Sequence, residues 1–169
     1  MVQAGGPGAP GQASRDVRAA HPEQRPPQIP QLIEIQKAQA LELIQSAGKT
    51  DLPVVYAADF NTVFGAPTYE ILVGNSGRVD AWLKKNPMVS CPEVNPPVVR
   101  PGCTCCQNPK LNNPTSELSH RIDLVIVSPS IGIEQVKLVN ADPAERTPSG
   151  LWPSDHAGVI ATLSFPNPP

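Results

Sequence analysis

A chain of 169 residues has room for one domain with its own core, and 40% apolar against 17% charged residues excludes a wholly disordered polymer. The formal net charge of −2 excludes a global positive field that would draw in a nucleic acid backbone, so phosphate recognition has to be local or carried by a cation. No apolar run reaches the roughly eighteen residues of a transmembrane helix, so no membrane span is expected.

Residues 1–29 are rich in Gly, Pro, Gln and Ala, a composition that cannot bury enough surface to offset chain entropy; they are expected to be disordered, and His21 with them. They contain no apolar stretch of the kind a secretory signal needs. The 22 prolines crowd residues 7–30, 87–114 and 143–169, which read as loops or tails, with 166–169 as the terminal tail. From Pro30 the pattern changes. QLIEIQKAQALELIQSAGK places Ile33, Ala40, Leu41, Ile44 and Ala47 near one face of an amphipathic helix, with Pro30 before its start and Gly48 as its stop.

After Lys49-Thr50-Asp51, the almost continuous apolar run LPVVYAA predicts a strand buried on both faces and ending at Asp59. Pro67 opens a short helix through Thr68, Tyr69, Ile71 and Leu72, closed by Gly74. Residues 79–83 read as a short strand or extended segment. A long irregular region, about 86–119, precedes RIDLVIVS, a second buried strand; 136–139 predicts another, and AGVIATLSF the last. The layout is mixed α/β.

Cys91, Cys103, Cys105 and Cys106 share the irregular region. Zinc ligation favours paired C-x-x-C knuckles, which adjacent Cys105 and Cys106 do not supply. A disulfide clipping this loop is the stronger reading and implies an oxidising compartment, with inert thiols as the remaining alternative.

Three segments put acidic or imidazole groups at strand edges: Asp59-Phe60-Asn61, Arg121-Ile122-Asp123 and Ser154-Asp155-His156. An Asp after a strand is most often a turn or cap residue. Asp123 is harder to dismiss, because a carboxylate pointed into a sheet face needs a partner. His156 is the natural candidate: a carboxylate on one ring nitrogen fixes the tautomer and presents the other nitrogen to a substrate. Asp59, Asn61 and Asp155 add hard oxygen ligands and hydrogen-bonding groups suited to Mg²⁺ or Mn²⁺ and an attacking water. Ser154 has no G-x-S-x-G elbow around it and does not read as a nucleophile.

With these residues in place, VVYAADFNTVFGAPTYEIL resembles the G-D-F-N strand end of the endonuclease/exonuclease/phosphatase family. SHRIDLVIVS is similar to its R-I-D-Y/L-V strand, and LWPSDHAGVIATL to its closing S-D-H motif. Ala58 stands where the family usually has Gly. The resemblance implies the C-terminal half of a DNase I-like four-layer α/β sandwich with a mixed sheet over residues 30–165, the N-terminal half being absent from residues 1–29. It also implies hydrolysis of a phosphoester, in a nucleic acid or a small molecule, with Mg²⁺ or Mn²⁺. Asp59 would position the water, near the metal, and Asn61 would hold a phosphate oxygen. Asp155 would help coordinate the cation, and His156, oriented by Asp123, would bind the scissile phosphate. Asp80, Trp82 and Trp152 resemble family positions with packing and loop-anchoring work, while His120 reads as a solvated residue before its strand.

PGCTCCQNPKLNNPTSELSHRID is also similar to a segment of bacterial members found outside the cytoplasm, which favours the disulfide reading and an extracytoplasmic location. The family's early Asn and its metal-ligating Glu have no counterpart in residues 1–29. The expectations are weak cation binding and one exposed face on the RIDLVIV and VIATLSF strands. A homodimer, a completing partner chain, or a catalytically silent interaction module then stands beside the enzyme reading.

Overall fold

Helix α1, Ile29–Ala47, opens the described part of the chain, which comprises residues 29–86 and 102–166 of a computed structural model. Residues 1–28 of the expected N-terminal tail, most of the proline-rich stretch before residue 102, and Cys91 lie outside the described residues, while Ile29, expected in that tail, is the first residue of the helix. Pro30 sits within the first turn, where its missing N–H is no loss. The helix turns Ala40, Leu43, Ile44 and Ala47 toward the core, whereas Ile33 and Leu41 are exposed. Leu43 thus takes the inward place expected of Leu41: at 3.6 residues per turn it falls on the Ala40–Ala47 stripe, and Leu41 lies off its edge.

Strand β1, Val55–Asp59, pairs antiparallel with β3, Asp123–Val127, and β2, Val79–Asp80, pairs antiparallel with the other edge of β3. The three-stranded order is β1-β3-β2, and β4, Gly132–Val139, pairs with β5, Gly158–Ser164, in a second, two-stranded sheet. All the ladders among the described residues are antiparallel. Helix α2, Pro67–Leu72, lies as expected. Residues 81–83, expected to be extended, instead begin α3, Ala81–Lys85, because the Asp80 carboxylate caps it by accepting from the Trp82 and Leu83 amides.

The central strand β3 is covered on both sides. Leu124 and Ile126 meet α1, α2 and Tyr56, while Val125 and Val127 meet Ala81, Ile131 and the inner residues of β4 and β5. The expected exposed face of RIDLVIV is therefore absent, since the β4–β5 ribbon fills it. On β5, Val159, Ala161 and Leu163 alternate inward, and Ile160 stays exposed. The expectation of a doubly buried first strand also fails: only Tyr56 of β1 is buried, and Val55, Ala57 and Asp59 face an uncovered side at the sheet edge.

A buried polar cluster locks the sheet to α2 and α3. Arg121 Nη2 lies 2.7 Å from Asp80 Oδ2, both side chains 3% exposed, and the Tyr69 hydroxyl donates to the same oxygen at 3.0 Å. Burial, then the Asp80 charge and hydrogen bond, push the Tyr69 phenol far up, so it remains a donor. Trp152, also buried, donates its indole N–H to the Asn113 carbonyl at 2.9 Å and fastens the loop before β5 to the 102–119 segment. Both findings agree with structural rather than chemical work for Asp80 and Trp152.

Candidate active site

Asp59 and Asp123 are register partners at the end of the β1–β3 ladder. His156 reaches them from the turn before β5, where its amide donates to Ser154 Oγ at 3.0 Å. Its Nδ1 lies 2.9 Å from Asp123 Oδ2, with side-chain exposures of 28% for the imidazole and 21% for the carboxylate. Ligand atoms of Asp59, Asp123 and His156 all lie within 4.8 Å of one another, close enough that the three could hold a metal ion. The Asp123 pairing occupies Nδ1 and leaves Nε2 as the ring nitrogen directed elsewhere.

Burial alone would lower the His156 pKa, and it is the largest single influence. The hydrogen bond to Asp123 and the charges of Asp123, Asp155 and Asp59 together outweigh it, so the imidazole titrates above its ordinary 6.5. The protonated form, with Nδ1–H donating to the carboxylate, is thus favoured.

Asn61 follows through a tight turn: its amide donates to Asp59 Oδ1 at 2.8 Å, and its backbone takes a left-handed φ of 48°, which Asn adopts more readily than most residues. The Gln36 side chain of α1 donates to its carbonyl at 3.0 Å. Nothing in the amphipathic pattern singled out Gln36. A depression of about 220 Å³ beside the pair is lined by Ala57, Asp59, Asp123, Ala157 and Val159, so both carboxylates border the uncovered side of β1.

Asp155 stands apart from the three-residue group. Its side chain is exposed, it accepts from Ser154 Oγ at 3.4 Å, and its carbonyl accepts from the Cys106 and Gln107 amides. Its charge still raises the His156 pKa. Ser154 is engaged with the His156 amide and Asp155, an arrangement that fixes a turn rather than primes a nucleophile.

The loop chemistry is sharper than the sequence suggested. Cys105 and Cys106 are bonded to each other, and Cys103 is disulfide-bonded as well. Thr104, fully buried, accepts on Oγ1 from the Ile122 and Asp123 amides at 3.1 Å each. It was not singled out in the sequence, because a Thr in an irregular stretch has no periodic signature. His120 is half-buried rather than solvated: Nδ1 contacts Ser119 Oγ at 2.9 Å, and its carbonyl accepts from the Thr104 and Cys105 amides.

No protein-family model and no curated protein matches this chain. Solved structures do. An endonuclease/exonuclease/phosphatase from Bacteroides vulgatus aligns with a TM-score of 0.56 at 20% identity, covering 79% of this chain and 45% of its own. A mannosyl-6-phosphatase from Bacteroides thetaiotaomicron aligns with a TM-score of 0.54 at 20% identity over 78% of this chain and 46% of its own. An endonuclease/exonuclease/phosphatase family protein from the same organism gives 0.55 at 21% identity, over 80% and 45%. The chain thus spans a little under half the length of these structures. Its fold is that of part of an endonuclease/exonuclease/phosphatase domain.

Proposed function

We propose that this chain carries the reacting groups of a divalent-metal-dependent phosphoesterase. The reading rests on one observation: Asp59, Asp123 and His156 come from three separate segments and meet within 4.8 Å. The shared fold, which includes a structure described as a mannosyl-6-phosphatase, supports phosphoester chemistry. A phosphomonoester or phosphodiester is the substrate class, small-molecule or nucleic acid, and the net charge of −2 disfavours a dedicated duplex binder.

The donor set fits Mg²⁺ or Mn²⁺. Such hard ions are commonly held through one or two carboxylates, with water and substrate phosphate completing the sphere. Asp59, with its second oxygen uncommitted to the Asn61 turn, and the Asp123 oxygen not taken by His156 are the candidate ligands, with Asp155 contributing from the rim. The cation supplies charge neutralisation at the phosphate oxygens. Asp59 also accepts a hydrogen bond from the attacking water and aligns it. Asn61 donates its side-chain amide to a phosphate oxygen. His156, held by Asp123, donates from Nε2 to the same phosphate and stabilises the charge that builds there.

Among the described residues, the carboxylate shared with His156 and the peripheral Asp155 leave few protein ligands, which favours weak cation binding. Beside the enzyme reading stand a second copy or another polypeptide completing the sphere, and a silent interaction module that keeps the pocket without turnover. Calorimetric titration with Mg²⁺ and Mn²⁺, alongside hydrolysis of bis(p-nitrophenyl) phosphate and p-nitrophenyl phosphate, separates them. The enzyme reading expects saturable binding and turnover lost in both Asp59→Ala and His156→Ala. Binding without turnover at any protein concentration would leave the module, and turnover retained in either variant would remove that residue from the scheme.

A further inference from the structure

The segment 104–107 touches both halves of the site. On one side Thr104 Oγ1 accepts from the Ile122 and Asp123 amides, the Thr104 and Cys105 amides donate to the His120 carbonyl, and the Ser119 amide donates to the Cys105 carbonyl. On the other, the Thr104 carbonyl accepts from the Ala157 amide at 2.7 Å, and the Cys106 and Gln107 amides converge on the Asp155 carbonyl at 2.9 and 3.0 Å. Cys105 bridges to His120 and His156 at once. A few residues therefore fix the separation between the strand carrying Asp123 and the turn carrying His156.

Within this clamp Cys106 has a φ of 89°, a left-handed value that a side chain disfavours and that persists only when something imposes it. The bond between adjacent sulfurs closes a small ring through the intervening peptide, a constraint of that kind. Cys105 is buried at 7% exposure and Cys106 is exposed. The pair lines an open cavity of about 370 Å³ that also meets Asn61, Thr62 and His120, so a small thiol can approach from solvent.

We infer that the Cys105–Cys106 disulfide is a positioning device for the Asp123–His156 pair, and that its reduction by a dithiol releases the Asp155–His156 turn. The inference rests on the reading of that pair as part of the reacting site. A thiolate of the dithiol attacks the exposed Cys106 Sγ, forming a mixed disulfide and expelling Cys105 as a thiolate that takes a proton from water. The second thiolate of the reductant then attacks its own sulfur in the mixed disulfide and releases Cys106, which is protonated in turn. Two electrons and two protons pass to the protein, and the reductant leaves as a cyclic disulfide. Freed of the ring, Cys106 relaxes to negative φ, and its amide and that of Gln107 turn away from the Asp155 carbonyl.

Cys103 is disulfide-bonded too, so variants are needed to isolate the vicinal bond. Full-length Cys105→Ser/Cys106→Ser, kept under oxidising conditions, is compared with wild type by residue-resolved amide hydrogen exchange and by hydrolysis of bis(p-nitrophenyl) phosphate. The Gln107 and Ala157 amides are expected to exchange at least about tenfold faster, and turnover to fall about 100-fold. Cys105→Ser/Cys106→Gly should restore protection to within about threefold of wild type, because Gly takes a positive φ freely; loss of sulfur packing alone would not be rescued this way. Unchanged exchange in the Ser/Ser protein overturns the inference. If that variant fails to fold, the same amides are followed in wild type through reduction by dithiothreitol and reoxidation, and protection that ignores the redox cycle overturns it equally. Exchange is read without turnover, so a chain that hydrolyses nothing defeats the enzymatic reading and leaves the positioning claim to stand or fall on the amides.

Discussion

Asp59 and Asp123 face each other as register partners across the β1–β3 ladder, which holds two carboxylates side by side at the sheet's end. Like charges directly opposite on a sheet are destabilising. His156 relieves one of them at 2.9 Å, and among the described residues the Asp59 carboxylate accepts from the Asn61 amide within its own turn. A cation placed between them would offset the repulsion that remains.

The first consequence is a trade between stability and binding. Asp59→Asn keeps the acceptor for the Asn61 amide and removes the repulsion, so the metal-free protein should be more stable by about 0.2–1 kcal/mol. Mn²⁺, which should raise the urea midpoint of wild type by mass action, should then no longer do so. A less stable variant that still responds to Mn²⁺ contradicts the assignment.

The pH dependence follows from His156, whose pKa the three carboxylates raise despite burial. A pKa raised by folding means that the stabilisation is complete below the unfolded value near 6.5 and disappears as pH rises through the folded one. In metal-free protein, an NMR titration of the His156 ring should show a midpoint above 6.5. Asp123→Asn should move it down, because burial then dominates. An unmoved midpoint would mean that the 2.9 Å contact does not govern the ring.

Arg121→Ala leaves the buried Asp80 carboxylate, among the described residues, with the Tyr69 hydroxyl and two helix amides as its partners. Breaking one partner of a buried ion pair costs about 3–5 kcal/mol. Arg121→Lys should recover only part, since an ammonium lacks the guanidinium's planar fork. Chemical denaturation measures both, and a loss under about 1 kcal/mol would show the pair to be dispensable.

Thr104→Val tests the clamp on Asp123 from the other side. It removes the acceptor shared by two amides while keeping the shape, and leaving buried donors unsatisfied costs about 1–3 kcal/mol. Thr104→Ser should stay close to wild type. Equal stability of the Val and Thr proteins in urea would show that water or another group serves those amides.

Much of this site was legible in the sequence because each group terminates or opens an apolar strand, where a polar residue is conspicuous. Asp59, Asp123 and His156 were readable for that reason, and so was the pairing of the last two, since an inward-facing carboxylate needs a partner. Asp155 carried the same signal; its carboxylate lies outside the 4.8 Å group but still acts on the His156 ring through its charge, while its carbonyl anchors the clamp. Thr104, Gln36 and the Arg121–Asp80 pair were less readable as partnerships. They act across separations of up to 41 residues, where local pattern carries no information about contact. Residues 81–83 misread as extended because the Asp80 cap competes with the strand preference of its neighbours. The cover over Val125 and Val127 was missed for a similar reason: the inward alternation of β5 is plain, but not which sheet it meets.

Paramagnetic broadening by substoichiometric Mn²⁺ tests the central claim most directly, because it reports where a cation sits whether or not the chain turns anything over. Amide and side-chain signals of Asp59, Asn61, Asp123 and His156 should broaden first and together, and Mg²⁺ should reverse the effect. Broadening spread evenly over the acidic surface, or centred on residues away from these four, would contradict the account.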